Sequence, residues 1–359
     1  MRRPGVTTNS LRWCALTAAL AACTGGNPPG PDDAGSPSAP QDKVYVAAEM
    51  AGTVDVVDPH TLQRVGRINL NTAVMYMPHN VQVAPDGRTV WITAPPMPGH
   101  GTAEEQVVVV DPVTDEIVDR VVLGEGLHLA HVVVDDASRY AYVTAYTTGT
   151  LYRLDVDTRA VTALAELGAG SGPHGLRMCQ GKLYVATMDA GALVVVDPET
   201  ATTTEVPLEG MAVQTACSPD GRYVFVTLYD TREVVRLTLA TGELRRLALP
   251  PESRGPIQLH VSPDSQRLYV CDQGVLMDRP SSPLLYEVSV PAMAVTHTIT
   301  VGQGAHGVTV APDGRSLYVT NVVDGTLSVV STDERTVLAT IPTGERPNGV
   351  SYFAASRAP

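Results

Sequence analysis

Nine histidines hold most of the chemistry-bearing potential of this 359-residue chain. Six of them, His79, His128, His131, His174, His260 and His306, fall on or just before short β-rich segments that recur along the sequence. Three share one setting: Pro78-His79-Asn80, Pro173-His174-Gly175 and Ala305-His306-Gly307. Pro347-Asn348-Gly349 repeats that setting with an amide, His131 is displaced by one position, and two further copies carry Gln214 and Gln258. Neutral imidazole is the commonest metal ligand, and several converging rings could hold copper, zinc or iron. The alternative is structural, with each ring bonded to neighbouring backbone. Neither the paired spacing of a helical zinc motif nor the Cys-x-x-Cys-His of a covalent haem is present.

Methionine adds a second concentration. Met75-Tyr76-Met77-Pro78-His79 and Pro95-Pro96-Met97-Pro98-Gly99-His100 bring thioether and imidazole together, a mixture that suits copper better than zinc or magnesium. The copper candidates are therefore His79, His131, His174 and His306 with Met75, Met77, Met97 and His100. The alternative is that methionine is an adaptable apolar filler on a surface that grips a peptide or small ligand. Acidic residues nominate no catalytic pair: Asp58, Asp111, Asp155 and Asp197 stand where turns are expected. There is no Gly-x-Ser-x-Gly and no phosphate-cradling glycine loop. No catalytic residue is assigned.

The elements that must position these residues show in an internal repeat. An aromatic followed by a β-branched residue recurs at Tyr45, Trp91, Tyr142, Tyr184, Phe225, Tyr269 and Tyr318. Turns of the Pro-Asp-Gly type precede most copies, as at Pro85-Asp86-Gly87, Pro219-Asp220-Gly221 and Pro312-Asp313-Gly314, and a second turn follows, as at Asp58, Asp111 and Asp197. Most copies are about 42 residues apart, the period of a β-propeller blade of four strands A to D. Residues 43–70 supply strands B, C and D without an A, and 348–353 supply an A with nothing after it. Joined, they complete a blade. The expected fold is all-β, a seven-bladed propeller closed by the C-terminal strand A against the N-terminal strands B to D, which removes both exposed sheet edges. In such a ring strand A lines the channel. His79, His131, His174, Gln214, Gln258, His306 and Asn348 would then surround its mouth.

Leu317-Tyr318-Val319-Thr320-Asn321, with Ala311-Pro312-Asp313-Gly314-Arg315 before it and Gly325-Thr326-Leu327-Ser328-Val329-Val330 after, resembles the bacterial YVTN seven-bladed propeller repeat. The resemblance covers about 43–354. It implies the fold and says little of function, because members are mostly uncharacterised surface or periplasmic proteins. Related propellers occur in copper-containing nitrous oxide reductase and haem-binding nitrite reductase, and a similar one in streptogramin lyases. The lyases use histidines with a glutamate around magnesium. Here Glu104, Glu105 and Glu125 are the nearest glutamates to the rim, and none matches.

The N-terminus reads as an address. Met1-Arg2-Arg3 and Arg12 precede an apolar run from Trp13 to Ala22 that has the length of a signal-peptide core. Leu20-Ala21-Ala22-Cys23 resembles a bacterial lipoprotein signal, with Cys23 as the acylated residue, and Thr24 permits sorting to the outer membrane. The expected organisation is a signal at 1–22, a Gly/Pro/Ser-rich tether at 23–42, the propeller at 43–354 and a disordered tail at 355–359. Cys179, Cys217 and Cys271 then remain, an odd number that leaves at least one thiol free or paired between chains. The chain carries 25 basic and 38 acidic residues, a net of −13, and residues 1–22 hold three arginines and no acid, which sharpens the remainder to −16. A nucleic-acid partner is excluded on charge. The sequence therefore suggests a lipid-anchored envelope protein whose rim binds a protein, peptide or small ligand. Its rival is a metal carrier or metal-dependent enzyme, with copper the first cofactor to test. The insertions Ala94–Glu105 and Asp272–Pro283 would wall the mouth.

Overall fold

Each repeat aromatic lies in the second strand of a four-stranded antiparallel sheet, and seven such sheets stand in a ring. The computed structural model describes residues 41–99 and 103–357. The leader, Cys23, the spacer to residue 40 and His100 lie outside those residues. The innermost strands are Val81–Val83, Leu129–Val134, Pro173–Cys179, Ala212–Cys217, Pro256–Val261, Ala305–Val310 and Pro347–Phe353. Each packs beside the next, and the last packs beside the first, so the ring is continuous. Blade 1 joins the two ends of the chain as expected: Pro347–Phe353 pairs with Lys43–Ala48, setting Ser351 opposite Tyr45. Blades 2 to 7 follow in chain order. Among the described residues there is no α-helix, only two short 3-10 turns at Leu276–Asp278 and Ala355–Arg357. The second of these falls where a disordered tail was expected. Ala355 N–H donates to Asp42 Oδ1 and Tyr352 Oη donates to Asp42 Oδ2, which ties both ends of the described chain together.

The hydrophobic interior is divided into seven clusters, one between each pair of neighbouring blades. Tyr45 fills the cluster between blades 1 and 2, Trp91 that between 2 and 3, and so on to Tyr318 between 7 and 1. One repeat ring per interface, joined in three of them by Tyr76 and Phe353, Tyr229 or Tyr286, is the aromatic content the buried interior uses. Val, Leu and Ile fill the remaining volume, and β-branched residues fit the pleated, two-sided surfaces.

Turns close the hairpins for the reason their residues suggest. Asp86, Asp220 and Asp313 each accept a backbone N–H two residues on, and Gly87, Gly221 and Gly314 take up positive φ. Asp58, Asp111, Asp155 and Asp197 likewise accept two backbone N–H groups each. Their carboxylates are committed to turns.

The mouth of the channel is held by a repeated device. In blade 3 the Thr144 hydroxyl accepts from His131 N–H at 3.1 Å and donates to the His174 carbonyl of blade 4 at 2.7 Å. Thr93, Thr227 and Thr320 make the same bridge in blades 2, 5 and 7. Blade 6 has Cys271 at this position, its Sγ 3.8 Å from the Gly307 carbonyl. The bridge lies where the pairing of the two inner strands shifts register, as between Leu129 and Val132. Neighbouring strands approach closely there. A Cβ on Gly175 would stand 2.0 Å from Gln214 Oε1, and one on Gly307 would stand 2.3 Å from the Asn348 carbonyl. Glycine is thus a packing requirement at positions 175 and 307.

Candidate metal centre at the channel mouth

Strand geometry brings His79, His131 and His174 from three consecutive blades to one place. One nitrogen from each lies within 4.8 Å of the others. The ring centroids are 4.7 to 5.5 Å apart and the planes are steeply inclined. His131 is fully buried, His174 nearly so, and His79 keeps 13% of its side chain exposed toward the mouth.

Two of these rings have one nitrogen already committed. His174 Nδ1 lies 2.9 Å from the Val213 carbonyl, which can only accept, so that nitrogen carries the proton. His79 Nδ1 lies 3.2 Å from the Glu49 carboxylate and 3.1 Å from the Asn348 amide nitrogen. The proton assignment that satisfies the carboxylate puts hydrogen on Nδ1. Both Nε2 atoms then face each other at 3.3 Å. Two lone pairs at that separation repel: either His79 is charged and its Nε2–H donates to His174 Nε2, the state in which its charge acts on its neighbours, or a metal cation takes the place of that proton. Two nitrogens bound at about 2.0–2.1 Å to one tetrahedral ion are themselves about 3.3–3.4 Å apart. A carboxylate on the far nitrogen of a ligating imidazole is also the usual way such a ring is oriented and made more basic.

The rest of the set surrounds this pair. The Gln214 amide has its oxygen held by Thr215 N–H and its nitrogen 3.3 Å from His131 Nδ1. Because that amide nitrogen donates to Nδ1, His131 Nε2 carries the proton of the neutral ring; it is buried and has no hydrogen-bond partner. His306 Nδ1 is 2.6 Å from Gln273 Nε2, and its Nε2 is also buried and unpartnered. Burial, followed by the charge of His79, pushes His174 and His306 down to about 3. His131 is lowered as well, first by burial and then by its neighbouring rings. These three stay neutral at ordinary pH, the form that binds metal. Burial alone would raise the Glu49 carboxyl, but the hydrogen bond and charge of His79, with Arg346 beyond, hold it at about 2. Arg346 Nε lies 3.2 Å from Glu49 Oε2.

Above the rings is a cavity of about 170 Å³. Its polar lining comes from His79, His174, His306, Asn348, Glu49 and Gln273, and its apolar lining from Val213, Ile257, Met188, Val275, Leu276 and Val322. Val275 and Leu276 come from the Asp272–Pro283 insertion, which leans over the mouth as expected. None of the described residues of the other insertion lines this cavity. Gln258 is buried nearby in sequence register, and its amide nitrogen has no partner. Met75 and Met97 pair through backbone, Met97 N–H to the Met75 carbonyl at 2.8 Å, and Met77 N–H donates to the Pro95 carbonyl. None of the three thioethers lines the cavity; Met188 does.

Glu49 and Gln273 were not nominated by sequence, although a signal existed. Each is the fourth residue after its repeat aromatic, Tyr45 and Tyr269. Met188 and Val322 hold that same position after Tyr184 and Tyr318, and both also line the cavity. In register, Glu49 of blade 1 serves His79 of blade 2, and Gln273 of blade 6 serves His306 of blade 7. Of the three glutamates nearest the rim by sequence, Glu105 is spent on backbone: its carboxylate accepts from His128 and Leu129 N–H at 2.6 Å each.

No protein-family model and no curated protein matches the chain. Solved structures do. A protein from Lactobacillus plantarum superposes with a TM-score of 0.67 at 16% identity, covering 88% of this chain and 100% of that one. Virginiamycin B lyase from Staphylococcus aureus gives 0.64 at 12% identity, covering 77% and 92%. Hydrazine synthase of Kuenenia stuttgartiensis gives 0.63 at 17% identity, covering 76% and 88%. What they share with this chain is the propeller fold. Identities this low carry nothing further, and chemistry must be argued from the site itself.

Proposed function

We propose that this propeller binds a divalent transition-metal ion at its channel mouth through His79, His131 and His174, with Glu49 orienting His79. The observation that carries the reading is the 3.3 Å approach of the two Nε2 atoms whose Nδ1 atoms are committed elsewhere. Imidazole suits zinc and copper(II), and copper(II) heads the affinity order for such ligands. The cavity beside the rings leaves room for a small ligand to reach the ion, and its apolar side would favour one with a hydrocarbon part.

The setting we infer is the cell envelope of a bacterium, in a protein of the YVTN propeller type exported with a lipid on Cys23. In favour of export, Cys179 and Cys217 form a disulfide between blades 4 and 5, while Cys271 is buried and free. Disulfides persist in oxidising compartments. A second reading keeps the rim as a docking scaffold for a protein or peptide, without metal. Titration with zinc or copper(II) after chelator treatment separates the two. One equivalent should bind tightly to the wild type, and His79→Ala/His174→Ala should lose at least about 100-fold in affinity. Absence of saturable binding, or equal binding by the double variant, overturns the metal reading.

A further inference from the structure

The histidine mouth holds more hydrogen-bonding capacity than three metal ligands use. His306 of blade 7 lines the cavity but stands outside that set of three, and only 4% of it is exposed. The Gln273 amide nitrogen donates to its Nδ1, so Nε2 carries the proton of the neutral ring, and that N–H is buried without an acceptor. Asn348 of blade 1 lines the same cavity and is buried to the same degree. Its amide nitrogen is placed 3.1 Å from His79 Nδ1, and its oxygen has no partner. Because His79 Nδ1 carries hydrogen toward Glu49, the amide satisfies it only when turned over, with oxygen toward the ring. The end left without a partner is then the NH2 group. A buried donor left unpaired is costly, and two of them stand on one cavity.

The one carboxylate on that cavity is already spent: Glu49 Oε1 serves His79, and Oε2 lies 3.2 Å from Arg346 Nε. Glu49 and Arg346 cancel in charge. A charged His79, or a divalent ion in place of its proton, therefore leaves the mouth positive and in want of an anion. Size and polarity narrow the choice. A dry cavity of about 150 Å³ holds benzene, so one of about 170 Å³ admits about six or seven heavy atoms. Val213, Ile257 and Leu276 are among its apolar lining, which a bare inorganic oxyanion would leave uncovered.

We propose that the ligand of this cavity is a short-chain monocarboxylate with a tail of about three or four carbons, the size the cavity sets. Its oxygens accept from His306 Nε2–H and the Asn348 amide beside Arg346, and its tail packs against Val213, Ile257 and Leu276. The proposal rests on the metal reading for one feature: the bound ion takes a carboxylate oxygen in the position three imidazoles leave open.

Calorimetric titration of the full chain with butyrate tests it, in one arm after chelator treatment and in another after loading with one equivalent of zinc. Metal content is measured in each sample. Saturable one-to-one binding is expected in both arms, about tenfold tighter with zinc. Acetate should bind about tenfold more weakly than butyrate, the loss expected for two methylenes. His306→Leu keeps the bulk and removes the N–H, so it should weaken butyrate by about tenfold or more, as for a hydrogen bond to a charged group. Arg346→Gln, at a half-exposed position that supplies the reading if His306→Leu does not fold by circular dichroism, should weaken it several-fold. No saturable butyrate binding up to about 10 mM in either arm overturns the proposal and, where zinc is bound, leaves the metal reading standing. Acetate binding as tightly as butyrate, or unchanged affinity in the folded variants, also overturns it. With zinc bound, equal butyrate affinity in the two arms overturns the contact to the ion. A chain that takes up no zinc yet binds butyrate through His306 overturns the metal reading alone.

Discussion

At one register position the seven blades divide into two arcs. Blades 7, 1, 2 and 4 place His306, Asn348, His79 and His174 at the mouth, with His131 one residue deeper in blade 3, while blades 5 and 6 place Val213 and Ile257 there. The backbone does not make the difference. Thr227 of blade 5 bridges to blade 6 as Thr144 of blade 3 bridges to blade 4, and the register shift recurs in both arcs. One layer out the contrast is partial. The fourth residue after the repeat aromatic is Glu49 before His79 and Gln273 before His306, but Pro95 before His131 and Tyr146 before His174, and it is Met188 or Tyr229 where the next blade carries Val213 or Ile257. A repeating scaffold thus supplies equivalent places, and the chemistry is set by which blades fill them with imidazole and which with hydrocarbon.

If the polar arc is a metal centre and the apolar arc only a wall, substitutions on the two should differ by orders of magnitude. Beyond loss of the ligands themselves, the largest effect should come from Glu49→Gln. It keeps the shape but removes the charge behind His79, so zinc or copper(II) affinity should fall by about 10–100-fold, the range found for outer partners of metal-ligating histidines. Isothermal titration reads it directly, and equal affinity would mean that Glu49 only pairs with Arg346.

The next effect is on stability. The unfolded chain protonates its histidines near pH 6.5, whereas His174 and His306 resist protonation until about 3 in the fold. The unfolded state therefore binds more protons across that window, so the stability due to these rings is complete above about pH 6.5 and is lost as pH falls toward 3. Melting temperature in chelator should drop by several degrees between pH 7 and pH 5, before most carboxylates titrate. A His174→Asn/His306→Gln variant should lose most of that slope; an unchanged slope would place its origin elsewhere.

The smallest effect belongs to the apolar arc. Val213→Ala should leave metal affinity within about threefold of wild type, a change of under 1 kcal/mol, because its side chain offers no ligand. A large loss would show that the arcs act as one unit, a result that would remove the contrast on which the assignment rests.

The fold was legible because its signals are periodic. Seven aromatics mark seven interfaces, and the missing first strand at one end matches the spare strand at the other. Candidate ligands were legible for the same reason, since histidine recurred at the start of strand A. Glu49 escaped because it occurs once, 30 residues before His79 and in another blade, and its role depends on ring closure and on blade-to-blade register. Met75, Met77 and Met97 stand close to His79 along the chain or in a loop of its own blade but do not line the cavity beside the histidines. Proximity in sequence is a poor guide in a ring, where the partner of a residue is in the next blade.

X-ray absorption at the metal edge of the wild-type protein, loaded with one equivalent of zinc or copper(II), reads the centre most directly. The expected spectrum is a first shell of nitrogen at about 2.0–2.1 Å with the outer-shell scattering of imidazole. A sulfur shell at about 2.3 Å, or one of oxygen alone, would contradict a centre built from His79, His131 and His174.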